Sequence, residues 1–529
     1  MRSRASSLLP SPEDDVGRVD MQSPPGEEEE EEEEDLLPPK VSEMRMTERH
    51  GKFLLGGLRC VLSELAAKDV PFDVLYPLSR SEVGRAVFDL ATSSKSSSKS
   101  RALAVVTDFG PLRHFREWTE DQAAPLFEEE HVPLYQVDAH NVVPAWTASP
   151  KREVGARTLR PRINRLLPDF MTHFPEFEGN AHLSERSERE CDGDSSVDWD
   201  RCEGYLKLDP SVPECDWAEA GAEAALSRFR TFCKGGTLGA PGLKKFAELR
   251  NDPNYDGVCS NLSPWINHGQ ISFQRLALDV RSLSKYSEGT ASYIEEGIVR
   301  RELSDNYVYY TRDGYDTLDG AAVWARDSLI LHGDDEREYV YTLEEFDGAR
   351  THDDLWNAAQ MQLTTEGGMH GFLRMYWAKK ILEWTPSPRV ALRTAQYFND
   401  RYALDGNDPN GFVGVGWSIM GVHDMGWKER EVFGKIRFMN YAGCKRKFKV
   451  ANFVAKYPGA EANALMAAKK HGSEKGKRPK KAKANAKAKA KAGRPATASA
   501  SASASALSST RKKAVGPKKS AGGKKRKTP

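Results

Sequence analysis

Three tryptophans in the C-terminal half of the chain have the residue type and spacing needed to pass single electrons. Trp377 and Trp384 are seven residues apart in a segment with helical spacing, so they lie on one helix face, two turns apart. Trp356 belongs to the preceding predicted helix. Aromatic rings in close contact can relay electrons, but tryptophans on facing helices also form ordinary core. Spacing alone does not choose between the two.

Several other kinds of site are excluded by the sequence. It contains no Walker phosphate loop, no GxSxG nucleophile motif and no His/Cys cluster with metal-ligand spacing. Its seven cysteines are scattered without a CxxC pair, a pattern typical of reduced intracellular thiols. No apolar run is long enough to span a membrane, and the N-terminus lacks the apolar core of a secretory signal.

The N-terminal half has the pattern of an α/β domain. The continuous apolar runs Ala102–Phe109 and Val132–Val137 predict parallel strands that alternate with helices. Asp108 and Asp138 stand at the ends of these runs, where carboxylates commonly lie near loops. The other elements predicted in this half are a short strand at Phe72–Tyr76 and helices at Phe53–Leu65 and 81–92.

From about residue 222 the chain becomes mainly helical, with proline and glycine separating the segments. The predicted helices are Ala222–Phe232, Gly269–Leu283, Ala291–Tyr310, Asp354–Gln362, Gly371–Trp384 and Pro388–Tyr397. The predicted organisation is a disordered acidic segment (1–46), an α/β domain (47–179), a linker or insertion (180–221), an all-α domain (222–456) and a disordered basic tail (457–529).

The formal net charge of zero hides a strong asymmetry. Of the 77 basic and 77 acidic side chains, residues 469–529 hold 21 Lys/Arg and one acid, which leaves 56 basic and 76 acidic groups to the rest. An unbroken acidic run spans Glu27 to Glu34, whereas the tail ends near the basic cluster Lys524–Lys527. Such a tail predicts a DNA-binding arm, a nuclear import signal or both, the alternative being a dispensable solvated extension.

Long, nearly contiguous motifs carry a resemblance to a known family. They are CSNLSPWINHGQIS (259–272), IVRRELSDN (298–306), DLWNAAQMQLTTEGGMHGFLRMYWAKKILEW (354–384), NDRYALDGNDPNGFVGVGWSIMGVHDMGWKEREVFGKIRFMNYAGCKRKF (399–448) and, in the first domain, KREVGARTLRPRI (151–163). Over roughly residues 50–456 the chain resembles the class II cyclobutane-pyrimidine-dimer photolyases of the photolyase/cryptochrome family. The resemblance implies an α/β domain with a parallel sheet, followed by an all-α domain that binds FAD.

Cofactor-binding residues follow from this resemblance by position. The turn Cys259, Ser260, Asn261, Leu262 and Ser263 matches the segment that contacts the FAD diphosphate, with Cys259 in place of the commoner hydroxyl residue. The N–H groups of a turn entering a helix suit phosphate, although a Ser-x-x-Ser sequence by itself is an ordinary helix cap. Arg374 and Asp405 match a pair that lies against the isoalloxazine ring, and Asn399 matches an asparagine near flavin N5.

The resemblance also implies the reaction. Trp377, Trp356 and Trp384 match the class II tryptophans that photoreduce the flavin, from rings expected to be accessible at the surface. Reduced anionic FAD then absorbs near-UV or blue light and passes an electron to the dimer, whose C5–C5′ and C6–C6′ bonds break before the electron returns. Such an enzyme is a light-dependent carbon–carbon lyase that needs no metal. The expected partner of this chain, as a monomer, is double-stranded DNA containing pyrimidine dimers, with the lesion extruded from the helix.

Substrate-contacting residues are implied in the same way. Glu302 matches the glutamate that hydrogen-bonds a dimer base, where a carboxyl can donate if burial raises its pKa. Asn306, one helical turn later, is expected to line the same cavity. Trp417 matches the aromatic wall against which the lesion packs, and Trp427 and Arg437 match positions near the duplex opening.

The sequence departs from the family in its first domain. The Arg-Asp-x-Arg-x-x-Asp-Asn-Trp-like motif of the usual first strand and helix is missing, and the match starts only near Arg49–Gly51. A sheet lacking its first, usually central, strand would expose unpaired backbone edges, so an antenna pigment is not assigned. Val154 also stands where the family commonly has an aromatic residue.

Two other functions remain open at this point. A cryptochrome-like blue-light receptor would use the same fold and flavin site to signal, and a catalytically inactive homologue would bind DNA without repairing it. Dimer splitting under blue light distinguishes the enzyme from the receptor, and a colourless purified protein would indicate the inactive homologue. The basic tail favours a nuclear location, with the plastid or the mitochondrion as alternatives.

Overall fold

The computed structural model describes residues 33–92, 102–177, 197–235, 241–283 and 287–475. The helices within these ranges are α1 (Glu48–Ala66), α2 (Val83–Thr92), α3 (Arg113–Arg116), α4 (Ala124–Glu129), α5 (Ala145–Ala148), α6 (Ala156–Phe170), α7 (Trp199–Leu206), α8 (Ala222–Lys234), α9 (Gly242–Leu249), α10 (Ser263–Asn267), α11 (Phe273–Arg281), α12 (Ser287–Ile294), α13 (Arg301–Thr311), α14 (Val323–Leu331), α15 (Leu343–Asp347), α16 (Asp354–Glu366), α17 (Gly371–Trp384), α18 (Pro388–Tyr402), α19 (Pro409–Ile419), α20 (Tyr441–Lys447), α21 (Val450–Val454) and α22 (Ala460–Lys475).

Two of the predicted strands are confirmed, and they pair in parallel. Strand β1 (Val105–Asp108) lies beside β2 (Leu134–Val137), with Val105 opposite Leu134 and Asp108 opposite Val137. Within the described residues the sheet has these two strands alone. Val106 and Tyr135, paired in register, are 66% and 58% exposed, so one face of this sheet has no cover from the described chain.

The strand predicted at Phe72–Tyr76 is wrong. This segment is extended but has no strand partner among the described residues. Pro71 and Pro77 bracket it, and proline cannot donate a ladder hydrogen bond. Its last residue packs instead on α7, where the Tyr76 hydroxyl lies 3.1 Å from Cys202 Sγ. The apolar run therefore serves as a packed connector.

The helical half contains the main hydrophobic cores. One core is built on α13 to α21 and includes the fully buried rings of Trp356 and Trp377. A second core is formed by residues of α6, α8, α9, α10, α11 and α12 and includes Trp265. The core between α4 and β2 is much smaller and centres on Phe127. Most of the burial that stabilises the molecule therefore lies in the half predicted to hold the site.

Helix boundaries follow local capping chemistry. The Asp353 side chain accepts from the backbone N–H of Trp356 and starts α16, as its position before the predicted helix suggested. The helix predicted from Gly269 begins only at Phe273, because Gly269 has a φ of 67° and Ser272 supplies the cap. The helix predicted at Ala291–Tyr310 contains a wider turn at Glu295–Arg300 before α13 begins.

Three segments predicted to be irregular contain regular structure where they are described. Residues 33–46 include a short 3-10 helix at Val41–Glu43, and residues 197–221 include α7. Helix α22 extends the helical half beyond the predicted end at 456, and it buries Ala460, Ala464 and Ala467 at helical spacing. Residues 1–32, 178–196 and 476–529, which hold the rest of these segments, lie outside the described residues.

Candidate active site

Asp405 joins the two segments predicted to bind the cofactor. Its carboxylate accepts a hydrogen bond from Arg374 Nη2 at 3.2 Å and also bonds the side chain of Ser263. Burial of Asp405 opposes its ionisation, but the Arg374 guanidinium and these hydrogen bonds together lower the pKa of the carboxyl. An ionised pair of opposite charges therefore stands where the turn from 259 to 263 meets the loop after α18.

The turn from Cys259 to Ser263 is fixed by groups outside it. Asn261 adopts a left-handed φ of 50°, and Leu262 is buried. Arg228 Nε donates to the Ser260 carbonyl at 2.9 Å, while the Ser260 hydroxyl lies 3.4 Å from that of Tyr293. The turn is thus held rigidly before any ligand is considered.

Cys259 and Arg228 add details that the motif match does not contain. The Cys259 thiol lies 3.8 Å from the Arg250 carbonyl, and burial raises its pKa to about 11, so it is a neutral thiol. Arg228 was not singled out from the sequence. Its guanidinium lies over the ring of Trp217 at 4.6 Å, and burial lowers the pKa of Arg228.

Asn399 and Asp400 form a buried polar corner beside α19. Asn399 Nδ2 donates to Asp400 Oδ1 at 2.8 Å, and the Asn407 backbone N–H donates to the same oxygen. A Cβ atom at Gly411 would come within 2.8 Å of Asn399 Nδ2, so glycine permits the close approach of α19. Burial raises the pKa of Asp400 to about 6.

These residues fit FAD. Asp400 Oδ2 is buried without a hydrogen-bond partner among the described residues, so it offers a polar contact to a bound molecule. On the neighbouring helix α19, a Cβ atom added to Gly414 would meet nothing within 4 Å, which leaves space beside the same corner. The Arg374–Asp405 pair and Asn399 would supply charge and an amide to a flavin ring bound here.

Glu302 is a buried carboxyl whose two oxygens differ. Oε1 accepts from the backbone N–H of Val142 at 2.7 Å and from that of Val143 at 3.4 Å. Oε2 is buried without a hydrogen-bond partner among the described residues. Burial is the main cause that raises the pKa of Glu302 to about 8. At neutral pH this carboxyl is mostly protonated, with the partner-free oxygen available to hold the proton.

Asn306, predicted to line the same cavity as Glu302, is hydrogen-bonded at both ends of its amide. Its Oδ1 accepts from the Glu153 backbone N–H at 2.7 Å, and its Nδ2 donates to the Lys151 carbonyl at 3.0 Å. Because both ends of the amide bind backbone of the first domain, Asn306 fastens that segment to α13. The motif match could not reveal this, since the contacting backbone is distant in sequence.

Trp417, Arg437 and Trp427 lie together with a buried lysine. The Arg437 guanidinium is 4.6 Å from the Trp427 ring centroid and 5.4 Å from that of Trp417, and it pairs with Asp424 through two hydrogen bonds. Trp427 is 48% exposed, so this group reaches the surface. The structure therefore brings the three predicted substrate residues into one cluster.

Lys379 underlies this cluster and was not predicted. It is completely buried, donates to the Ser418 carbonyl at 2.8 Å and lies 4.6 Å from the Trp417 ring centroid. Burial lowers the pKa of Lys379 to about 7, with Asp424 opposing that shift. Its signal in the sequence is a pair of lysines in a helix rich in apolar residues, and composition alone does not distinguish such a pair from a solvated face.

The three predicted tryptophans form a connected array. The rings of Trp356 and Trp377 are stacked at 6.4 Å between centroids, and those of Trp356 and Trp384 are 6.1 Å apart. The expectation of surface-accessible rings is wrong, because all three are at most 2% exposed. Helices α16 and α17 lie in the middle of the larger core, and Tyr341 covers Trp384 at 5.8 Å.

The described residues contain neither a membrane-spanning helix nor a metal-binding cluster. None of the described helices is long and apolar enough to cross a membrane. Within the same residues, no three His, Cys, Asp or Glu side chains are grouped so as to hold a metal ion.

Comparison with known sequences gives consistent matches. The family model described as DNA photolyase matches residues 31–179. The chain is 46% identical over 416 residues to the deoxyribodipyrimidine photo-lyase of Potorous tridactylus, covering 78% of this chain and 73% of that protein. It is 44% identical over 406 residues to the deoxyribodipyrimidine photo-lyase of Oryza sativa subsp. japonica, covering 76% of each.

Solved structures agree at the level of the fold. An archaeal photolyase from Sulfolobus tokodaii, described with two FAD molecules, superposes with a TM-score of 0.52 at 15% identity, covering 82% of this chain and 84% of that one. A cryptochrome from Synechocystis sp. PCC6803 superposes with a TM-score of 0.55 at 12% identity, covering 80% of each chain. The α/β domain followed by a helical domain is therefore the architecture of this chain.

Proposed function

Because this chain belongs to the DNA photolyase family, as its identity to two deoxyribodipyrimidine photo-lyases over most of their length shows, we propose that it is a light-dependent DNA repair lyase of the class II type. Its substrate is a cyclobutane pyrimidine dimer in double-stranded DNA. FAD, bound in its reduced anionic form, supplies the light-excited electron that opens the dimer.

The geometry of Glu302 carries this proposal. A carboxyl with a pKa of about 8, with one oxygen fixed by backbone N–H groups and the other lacking a hydrogen-bond partner in the described part of the chain, is a neutral donor at physiological pH. A pyrimidine carbonyl that gains negative charge is the acceptor such a donor would stabilise. A glutamate that merely formed a solvated helix face would be exposed and ionised.

The remaining residues bind and orient. Arg374, Asp405, Ser263 and Asn399 would hold the flavin nucleotide, and the positive guanidinium would favour negative charge on its ring system. Trp417 supplies a flat apolar wall for an extruded lesion, because bases stack on aromatic rings. Both linked bases must leave the duplex, since chemistry on a base cannot proceed inside the stack.

A spectroscopic and catalytic assay tests the proposal. The full chain is purified and its flavin absorbance recorded, then the chemically reduced protein is irradiated with blue light in the presence of a thymine-dimer oligonucleotide. We expect bound flavin and the loss of the dimer, measured by chromatography. Bound flavin with no dimer splitting would assign the chain to the receptors, and failure to bind added FAD would assign it to inactive homologues.

We also propose that the basic tail directs the chain to the nucleus and anchors it on DNA as a monomer. Residues 476–529 contain 18 Lys/Arg and no acid, the composition of import signals and of non-specific DNA-binding arms. A fluorescent fusion of the full chain should be nuclear, and one ending at residue 475 should spread through the cell. Plastid or mitochondrial fluorescence of the full chain would contradict this assignment.

A further inference from the structure

Asp138, at the end of β2, has contacts beyond those of an ordinary strand-end carboxylate. It is 8% exposed and accepts four hydrogen bonds. Oδ1 accepts from the backbone N–H groups of His140 and Asn141, at 3.2 and 2.9 Å. Oδ2 accepts from Asn141 Nδ2 and from the Ala145 backbone N–H, both at 2.9 Å. The carboxylate therefore determines the path of residues 139–145.

That path contains the groups that hold Glu302. Val142 and Val143 lie between the two outer contacts of Asp138, and their N–H groups donate to Glu302 Oε1. Because Oε1 is fixed by these N–H groups, Oε2 points away from the turn, and it has no hydrogen-bond partner among the described residues. The orientation of the acid thus depends on a turn that belongs to the other domain.

Helix α13 fastens the same segment at further points. Glu302, Asn306 and Tyr310 stand at i, i+4 and i+8, so they form one stripe of the helix. Asn306 binds the backbone of Lys151 and Glu153, and the Tyr310 hydroxyl donates to the Ser149 carbonyl at 2.6 Å. Residues 149–153 are therefore anchored independently of Asp138, which limits the expected effect of changing Asp138 to the turn before them.

We propose that Asp138 is a positioning residue for the repair reaction, fixing the turn 139–145 so that Glu302 presents its proton-bearing oxygen to the lesion. This inference rests on the proposed function. The α/β domain would then help to position an acid that belongs to the helical domain. Asp138 would have this role although the sequence alone places it among common strand-end carboxylates.

The test is Asp138→Asn in the full-length, flavin-loaded and chemically reduced protein. An amide nitrogen cannot accept from Asn141 or Ala145, so the turn loosens and water reaches Glu302. We expect repair per absorbed photon at pH 7 to fall roughly tenfold. Repair yield should decline at alkaline pH as Glu302 ionises, and we call this decline the alkaline limb. In Asp138→Asn the limb should move to lower pH, because a less buried Glu302 has a pKa closer to its ordinary value.

Other charged groups lie around Glu302 and could also titrate. They are Arg301 and Asp305 on α13, His140 in the turn and Asp408 at the start of α19. Repeating the measurement in a Glu302→Gln protein separates their effect from that of Glu302. If Glu302 causes the decline of repair yield at alkaline pH, adding Asp138→Asn to a Glu302→Gln protein will not change how its repair yield depends on pH. A limb that moves equally in both backgrounds would overturn the assignment.

Asp108→Asn is the matched control. Asp108 ends β1 next to β2, is exposed, and should leave yield and pH profile as in the wild type. A limb that moves to lower pH in Asp138→Asn supports the proposal. Wild-type yield, or a limb that stays in place or moves to higher pH, would overturn it. If Asp138→Asn does not fold, Asn141→Ala removes one donor to the carboxylate and should move the limb less; an unmoved limb there is equally decisive. Absence of repair in both the wild type and Asp108→Asn would instead refute the proposed function.

Discussion

Glu302 and Lys379 are buried ionisable groups on the predicted substrate side, and burial shifts the pKa of both towards neutrality. Burial raises the pKa of the Glu302 carboxyl to about 8 and lowers the pKa of the Lys379 ammonium to about 7. The carboxyl has an oxygen without a partner among the described residues, whereas the ammonium donates to the Ser418 carbonyl. The first arrangement suits a donor to substrate, and the second suits support of the Trp417 ring.

Glu302→Gln should remove the alkaline limb of repair. The wild-type carboxyl is protonated below a pH of about 8 and ionises above it, so repair by reduced enzyme should decline through that range. Glutamine keeps a neutral N–H donor and an oxygen for Val142, and its repair should stay level from pH 6 to pH 9. The measurement is repair yield per photon against pH. A limb that persists unchanged in the variant would show that another group titrates.

Lys379→Met should make the fold less sensitive to pH. The folded pKa of about 7 lies below the ordinary value of 10.5, so between these values the unfolded chain binds a proton that the folded chain does not. Stability from this group therefore rises with pH across that window and is lowest below pH 7. Removing the ammonium should add about 2 kcal/mol more stability at pH 6 than at pH 9, in denaturant titrations.

Lys380→Met is the control for that experiment. Lys380 is the next residue of α17 and pairs with Glu383. Its replacement should change stability by a similar amount at both pH values. Equal effects of Lys379→Met at pH 6 and pH 9 would contradict a buried, depressed ammonium.

Individual residues were predictable from sequence only where a motif carried them. The motif match predicted that Arg374 and Asp405 form a pair, and the structure pairs them, whereas the contacts of Arg437 with Trp417 and Trp427 were not part of the prediction. The roles of Lys379 and Asp138 were not predicted, because their contacts depend on burial and on backbone from distant segments. A lysine in a helix rich in apolar residues, or an acid at a strand end, gives the same sequence pattern whether its side chain is buried or solvated.

Helices α16 and α17 show how two elements build one array. Trp377 and Trp384 are separated by seven residues of α17, a rise of about 10.5 Å. Trp356 of α16 contacts both, at 6.4 and 6.1 Å between centroids. Its indole N–H donates to the Trp377 carbonyl at 3.0 Å, and that of Trp377 donates to Gln360. The middle member of the array is therefore on the other helix.

Trp356→Phe should interrupt electron supply to oxidised flavin while leaving repair intact. Phenylalanine preserves most of the packing but is far harder to oxidise than an indole, so photoreduction should slow by at least an order of magnitude. Chemically reduced enzyme should repair dimers nearly as well as the wild type. Flash absorption of the flavin and the repair assay measure the two steps, and Trp146→Phe, outside the array, is the control. Equal loss of both activities would refute the relay.

Helices were predicted correctly where helical spacing of apolar residues coincided with a capping residue. Predictions failed where contacts with distant segments determine the secondary structure. Helical spacing predicted Gly371–Trp384, the observed bounds of α17, and Asp353 caps the start of α16 directly before the predicted helix Asp354–Gln362. The alanine-rich start of α22 was assigned to the basic tail because composition changes near residue 457, yet Ala460, Ala464 and Ala467 are buried and Ala460 belongs to the larger core. Phe72–Tyr76 failed for the opposite reason, since an apolar run without a strand partner cannot form a sheet.

The charge of the chain is divided between a predominantly acidic body and a basic tail. A DNA-binding protein with an acidic excess of 20 outside the tail, 76 acidic against 56 basic groups, needs a locally basic region to approach phosphates. Counterion release from such a tail gives affinity that falls steeply with salt and is independent of the lesion. If the tail binds DNA as proposed, recognition of the dimer and non-specific attraction to DNA are properties of different parts of the molecule.

Ending the chain at residue 475 should separate these properties. Each cation that contacts a phosphate adds about 0.9 to the slope of log affinity against log salt, so the deletion should flatten that slope. Affinity for undamaged DNA should fall at low salt, while the preference for dimer-containing over undamaged DNA is kept. Fluorescence anisotropy at several salt concentrations measures both. An unchanged slope would show that the tail does not contact DNA.

The hydrogen bonds from Val142 and Val143 to Glu302 have a practical consequence for anyone seeking a minimal light-driven repair module. A fragment beginning at residue 222 would retain every residue assigned here to the flavin and the tryptophan array. It would nevertheless open the carboxyl to water and leave it as an anion at neutral pH, facing a substrate that becomes an anion itself. A shortened protein should therefore keep Asp138 and the turn 139–145, and a chimaera should take this turn from the same protein as helix α13.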